Sequence, residues 1–194
     1  VHGVRGWRRL VVVAAGAVGL AACSQDDPFR PVATSPNVVT GLGLAALSTG
    51  ATAPTALDLL SRQAVRPLVD GSGAPNFQVA LDVDAQGRVR VIPVLALLNP
   101  PAGAVRVGLA PSNTAFEQLG RAPTGGFTAD STVTVDVGRT VVVRVQAGIC
   151  PFGDPIYAKL VVDGVNVQTR RLAVRFLVNA NCGYRDLTEG VPRN

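Results

Sequence analysis

The stretch FQVALDVDAQGRVRVIPV, residues 77–94, decides the fold. Phe77, Val79, Leu81 and Val83 fall on one face, and Gln78, Ala80 and Asp82 on the other. That period of two belongs to a strand, whose successive side chains point to opposite sides of a sheet. RVRVIPV repeats it, with Arg88 and Arg90 outward and Val89 and Val91 inward. Between the two runs, DAQG supplies a turn in which Gly87 can take a positive φ. A β-hairpin is therefore predicted. A second interpretation competes for the same residues, because DVDAQG opens like a calcium loop, with acids at positions one and three and glycine at six. Position five is Gln86, and position twelve falls on Pro93, which cannot supply the bidentate carboxylate such a loop needs. The hairpin accounts for the segment and no metal is expected.

Further strands follow outward from this hairpin. AVRVGLA (104–110), STVTVDV (131–137), GRTVVVRVQ (138–146), IYAKLVVDG (156–164) and RRLAVRFLVN (170–179) are rich in β-branched residues and split by Gly and turn residues. VDGVNVQTRR reads as a turn-rich connection between the last two. Upstream, NVVTGLGLAAL (37–47) is a weaker strand candidate. TALDLLSRQAV (55–65) fits one or two helical turns as well as a strand, because Leu57, Leu60 and Val65 do not settle a period. NTAFEQLG (113–120) predicts a short helix capped by Asn113, with Glu117 inside it. Many short strands and few helical patterns indicate an all-β fold. The expected architecture is an antiparallel β-sandwich, immunoglobulin-like or jelly-roll-like, with at most one short helix. No fixed-period repeat is present.

The amino terminus carries different information. Residues 1–9, VHGVRGWRR, hold Arg5, Arg8 and Arg9 and no acid, and LVVVAAGAVGL (10–20) has no charge. A basic segment followed by a short apolar run is the layout of an export signal. The run is too short for a transmembrane helix, which needs about 20 residues. It ends in Leu20-Ala21-Ala22-Cys23, then SQDD. This tetrad resembles the lipobox of bacterial lipoprotein precursors, over the first 25 or so residues only. The resemblance implies diacylglycerol on the Cys23 thiol, cleavage between Ala22 and Cys23, and often acylation of the new amine. Two or three acyl chains hold a protein on a membrane stably, where one binds marginally. An ordinary signal-peptidase site with an incidental cysteine is the alternative. Ser24 after the cysteine implies retention at the outer rather than the inner membrane. Arg8-Arg9 also raises twin-arginine export, although WRRLVVV lacks that motif's usual flanks.

Three segments are thus expected: a signal peptide over 1–22, an acylated end with a flexible, proline-punctuated tether over 23–37, and one sandwich domain over 38–194. Removal of the signal takes the only histidine, His2, the only tryptophan, Trp7, and three arginines. From 18 basic and 13 acidic residues, the mature chain keeps a net charge of +2. Lys159 is its only lysine, and no basic stripe is interleaved with aromatics, so no nucleic-acid partner is expected. Two cysteines remain, Cys150 and Cys182, and an even pair in an exported chain reads as a disulfide. A metal pair or a reactive thiol is the alternative, disfavoured without a mature histidine or a CxxC.

Catalytic constellations are scarce. Without histidine, neither a Ser-His-Asp nor a Cys-His arrangement nor an HExxH zinc site can be built. No phosphate-binding or dinucleotide-binding glycine motif occurs, and no cofactor is expected. Acid pairs remain, drawn from Asp82, Asp84, Asp154, Asp163 and Asp186. They leave open a carboxylate-dependent hydrolase of envelope polymers, although the mature chain offers only Tyr157 and Tyr184 beside its phenylalanines as stacking platforms for a sugar. The most distinctive patches are CPFGDP (150–155) and NCGYRDL (181–187), each wrapping a half-cystine in turn residues. They read either as a staple for the last strand or as a cross-linked platform for a partner. The leading expectation is a lipid-anchored, non-catalytic envelope module, binding or structural, with an envelope protein or polymer as possible partner.

Overall fold

The computed structural model divides the chain into two units, Val1–Arg30 and Pro31–Asn194. The structure describes residues 32–50, 52–69, 73–98, 105–146 and 148–193, all in the second unit. Two antiparallel sheets face each other there. The larger runs in the order β1-β11-β10-β9-β6-β7: Val39–Ala45 (β1), Arg171–Asn179 (β11), Ile156–Asn166 (β10), Thr140–Gln146 (β9), Arg106–Ser112 (β6) and Thr128–Ala129 (β7). The smaller runs β3-β2-β4-β5-β8: Gln63–Val65 (β3), Ala56–Asp58 (β2), Val79–Val83 (β4), Val89–Pro93 (β5) and Val133–Val135 (β8). The protein is an all-β sandwich.

The predicted hairpin is β4–β5, with Leu81 opposite Val91 and Asp82 opposite Arg90. Its turn closes through Asp84 N–H to the Arg88 carbonyl at 3.0 Å and Gly87 N–H to the Asp84 carbonyl at 3.1 Å. Gly87 sits at φ 79°, where a side chain would be strained. The Asp84 carboxylate accepts the Gln86 and Arg88 amides, both at 2.9 Å, so its oxygens are used inside the turn.

Alternation in the larger sheet sorts its residues into two layers. Val141, Val143 and Val145 of β9, Ile156, Ala158, Leu160 and Val162 of β10, and Leu172, Val174, Phe176 and Val178 of β11 point into the core. They meet Leu57, Val79, Leu81, Val89 and Val91 of the smaller sheet. Full burial of a side chain such as Phe176 contributes about 1.5–3 kcal/mol. The outer face of the larger sheet is also covered. Val142, Tyr157, Val161 and Leu177 pack there under Phe116, Ala122 and Leu187, carried by two non-strand segments. Those segments pair with each other, Ala122 N–H to the Arg185 carbonyl at 2.8 Å and Leu187 N–H to the Gly120 carbonyl at 2.9 Å. Gly108 of β6 lets this layer sit close, since a Cβ there would lie 3.0 Å from the Cβ of Phe127.

Two local expectations are corrected and one left open is settled. Residues 113–120 form turns rather than a helix; Lys159 takes their carbonyls, as described below. The α-helix among the described residues is instead α1, Val94–Leu97, a single turn after β5. Residues 55–65 form the β2–β3 hairpin rather than helical turns, with Asp58 accepting the Leu60 amide at 3.1 Å and the Ser61 hydroxyl at 2.5 Å across the bend. The connection before β11 is shorter than predicted. β10 continues to Asn166 by means of a bulge between Val162 and Gly164, which resets its alternation.

Candidate functional site

The site begins at the open end of the β10–β11 hairpin. β10 is paired with β11 from Tyr157↔Asn179 to Asn166↔Arg171, so the residues just before β10 and just after β11 are neighbours in space. Cys150 and Cys182 occupy those positions and are disulfide-bonded, with Cα atoms 5.6 Å apart. This separation lies within the range a disulfide spans without moving backbone.

A second tie lies beside the bond and was not visible in the sequence. Asn179 is fully buried, and its amide group donates to the carbonyls of Asp186 at 2.8 Å and Tyr184 at 3.2 Å. Its Oδ1 accepts from Asn181 N–H at 3.0 Å and Nδ2 at 2.9 Å. Asn181 then reaches the amino-terminal segment, where its Oδ1 accepts the Thr34 amide at 2.9 Å and its Nδ2 donates to the Ser35 carbonyl at 2.8 Å. Asn37 continues the line, donating to the Asp186 and Thr188 carbonyls and bridging Gly190 through its backbone. Residues 34–37, expected to be the end of the tether, are therefore hydrogen-bonded into the domain. Asn179 and Asn181 engage both donors and acceptors and so fix geometry, because an unpaired buried group costs about 1–3 kcal/mol, whereas the buried Asn37 Oδ1 has no hydrogen-bond partner among the described residues.

In front of these ties stands the loop itself. Pro151–Gly153 forms one 3₁₀ turn. Phe152 is 95% exposed and Ile149 60% exposed. Phe152 takes φ 59°, a left-handed conformation that residues with a Cβ adopt at a cost. A cavity of 190 Å³ next to the loop is lined by Val32, Thr34, Ser35, Pro151, Asn181 and Cys182, among others.

Of the candidate carboxylates, Asp82, Asp84, Asp163 and Asp186 are bonded within the fold, and Asp154 lies in the loop itself. Asp82 is buried in β4, and its Oδ1 accepts from the Ser48 hydroxyl at 2.7 Å, the Val83 amide at 2.9 Å and Arg170 Nη2 at 3.2 Å. Burial pushes this carboxyl up, but the bonds from Ser48, Val83 and Arg170 together outweigh it and hold the pKa below the usual value. Asp84 closes its own turn and pairs Arg88 at 2.8 Å. Asp163 and Glu117 converge, but on Arg175, which pairs them at 2.6 and 2.7 Å. Asp186 accepts the Thr188 hydroxyl at 2.6 Å and the Arg193 amide at 2.9 Å. Asp154 packs near Gly183. No cluster of three or more His, Cys, Asp or Glu able to hold a metal occurs among the described residues.

Lys159 is the other buried charge. Its place on the outer face of β10 reads as solvent-facing, yet it is 4% exposed. Nζ donates to the carbonyls of Phe116 at 2.7 Å and Leu119 at 3.0 Å and lies 4.6 Å from the Phe116 ring centre. Burial lowers its pKa, partly offset by Glu117, Glu189 and Asp186. Its donors satisfy the Phe116 carbonyl, which a helix over 113–120 would have paired with Gly120 N–H, and the Leu119 carbonyl, which such a helix would have left without an internal partner.

Ala22 and Cys23, with the rest of the export segment, lie outside the described residues. No helix among the described residues is long and apolar enough to cross a membrane. Comparison with family models, curated proteins and solved structures finds no match to this chain.

Proposed function

We propose that this chain is a lipid-anchored envelope protein, acylated on Cys23, whose sandwich domain is a non-catalytic module that binds or supports another envelope component. Membrane attachment rests on Leu20-Ala21-Ala22-Cys23 at the end of an apolar run, and Ser24 favours the outer membrane. The observation that carries the non-catalytic half is the use of the carboxylates. A glycosidase needs two carboxyl groups facing one cleft about 5–9.5 Å apart. Here Asp82, Asp84 and Asp186 are hydrogen-bonded within separate parts of the fold, and Asp163 and Glu117 are both paired with Arg175. The asparagine network supports the anchored reading in a second way. It fixes the segment that leads back toward Cys23 onto the turn just after β11, which suits a domain held by its amino terminus.

The test is Cys23→Ser with metabolic palmitate labelling and detergent phase partitioning. The parent protein should be labelled and enter the detergent phase, and the variant should be unlabelled. Label on the variant defeats the lipobox assignment. Release of soluble fragments from purified peptidoglycan by the parent protein defeats the non-catalytic assignment.

A further inference from the structure

The fold holds an aromatic ring almost wholly in water. Phe152 is 95% exposed at φ 59°, between Pro151 and Gly153 at φ 76°. Cys150 ties the loop down from behind. Ile149, on the other side of the half-cystine, is 60% exposed. Two large apolar side chains on one rigid loop, with the ring in a conformation that costs free energy, point to a surface that receives them.

The chain itself indicates which surface. Val32, 82% exposed, shares a cavity wall with Pro151 and Cys182. Cys23 lies nine residues before Val32, and nine extended steps reach at most about 32 Å. If Cys23 is acylated, the Val32 end of the sandwich stays within that distance of the bilayer, and the loop is on that end. The charges fit the same surface. In GICPFGDPI, residues 148–156, Asp154 is the only acidic or basic residue. The contact is therefore apolar rather than an attraction of cations to anionic headgroups.

We infer that residues 149–153 form a membrane-docking tip, in which Phe152 and Ile149 enter the interfacial zone of the bilayer that holds the acyl chains of Cys23. This rests on the lipobox assignment. Apolar side chains such as phenylalanine on interfacial segments bury about 5–10 Å into the headgroup–acyl boundary. A weak tip suffices, because the anchor makes its encounter with lipid intramolecular. The docked tip fixes which end of the sandwich faces the bilayer and leaves the turns at the far end to the aqueous side.

Tryptophan fluorescence of the processed, acylated protein in phosphatidylcholine vesicles with brominated acyl chains tests this. With Trp7→Phe in every variant, Phe152→Trp carries the sole tryptophan and is the tip probe. Val167→Trp is the turn probe, in the β10–β11 turn about 30 Å away along the hairpin. Emission of the tip probe should shift to the blue and be quenched at least about threefold more than that of the turn probe, alike in low and high salt. Adding Ile149→Asp to the tip probe should bring its quenching down to the level of the turn probe. Protein that is palmitoylated and stays with the vesicles, but whose tip probe is quenched no more than the turn probe, overturns the tip and leaves the anchor standing; a protein partner then becomes the occupant. Unlabelled protein whose tip probe is still quenched by added vesicles supports the tip without the anchor. Unlabelled and unquenched protein overturns both.

Discussion

Replacing Cys150 and Cys182 together by alanine isolates the staple from everything else at that end of the sandwich. The bond closes a loop with a sequence separation of 32. Chain entropy then assigns about 3.7 kcal/mol to it at 25 °C. Most of this acts on the unfolded chain. The native neighbours, β10 and β11, are already held by their ladder and by Asn179 and Asn181. A domain of about 160 residues unfolds with an entropy near 0.34 kcal/mol/K, so the melting temperature should fall by about 11 °C. The double variant should remain folded, because the hairpin, the core strands and the asparagine ties survive. Calorimetry on oxidised parent and variant gives the shift, and thiol counting on the unfolded, non-reduced parent should find neither Cys150 nor Cys182 free. A drop below about 3 °C would mean that the unfolded chain already keeps β10 and β11 together. Two free thiols would remove the bond altogether.

Asp82→Asn should cost about 1–3 kcal/mol at neutral pH, because Arg170 and Ser48 lose a charged acceptor. The Asp82 pKa is depressed in the folded protein, so its contribution is complete above the unfolded value near 3.9 and is lost as pH falls through the lower folded value. Urea titrations should therefore show a wide gap between parent and variant at pH 7 that narrows toward pH 3; a gap independent of pH refutes the charge argument. Lys159→Met keeps the apolar stem but leaves the Phe116 and Leu119 carbonyls without their donor, at about 1–2 kcal/mol after relief of the buried charge. Hydrogen exchange should rise in residues 116–122 and stay unchanged in β9; unchanged protection over 116–122 would show that the lysine does not hold that segment.

What was legible in the sequence was legible through a period of two. β4, β5, β9, β10 and β11 each alternate long enough to be read alone, and their pairings follow from short connections. The β2–β3 hairpin was hidden because its strands are three residues each. Three residues cannot display a period, and Leu59 and Leu60 at the bend mimic a helical face. The segment over 113–120 failed for the opposite reason. Its local pattern fits a helix, but Phe116 is drawn onto the outer face of the sheet and Lys159 takes the carbonyls, so tertiary contacts override propensity.

The site was less legible, for a physical reason that also bears on what it does. Alternation assigns a residue to a face, and a charged side chain marks its face as wet. Asp82 and Lys159 sit on such faces and are buried, because segments far away in sequence lie over them: Ser48 and Arg170 over one, residues 116–119 over the other. Asn181 makes the same point over the largest span, its partners Thr34 and Ser35 lying 147 and 146 residues away. No local signal marks such an asparagine. Phe152 is the reverse case, since CPFGDP is conspicuous as a loop, but nothing in its letters says that the phenylalanine faces water rather than the core. The buried asparagines Asn179 and Asn181 share one end of the sandwich with Phe152, and that coincidence has content. Buried amides and a disulfide make the end stiff, and a stiff end can hold a ring outward that a mobile loop would fold back onto itself. Asn179 and Asn181, which the sequence hides, are thus the support for the residue that it displays without explaining.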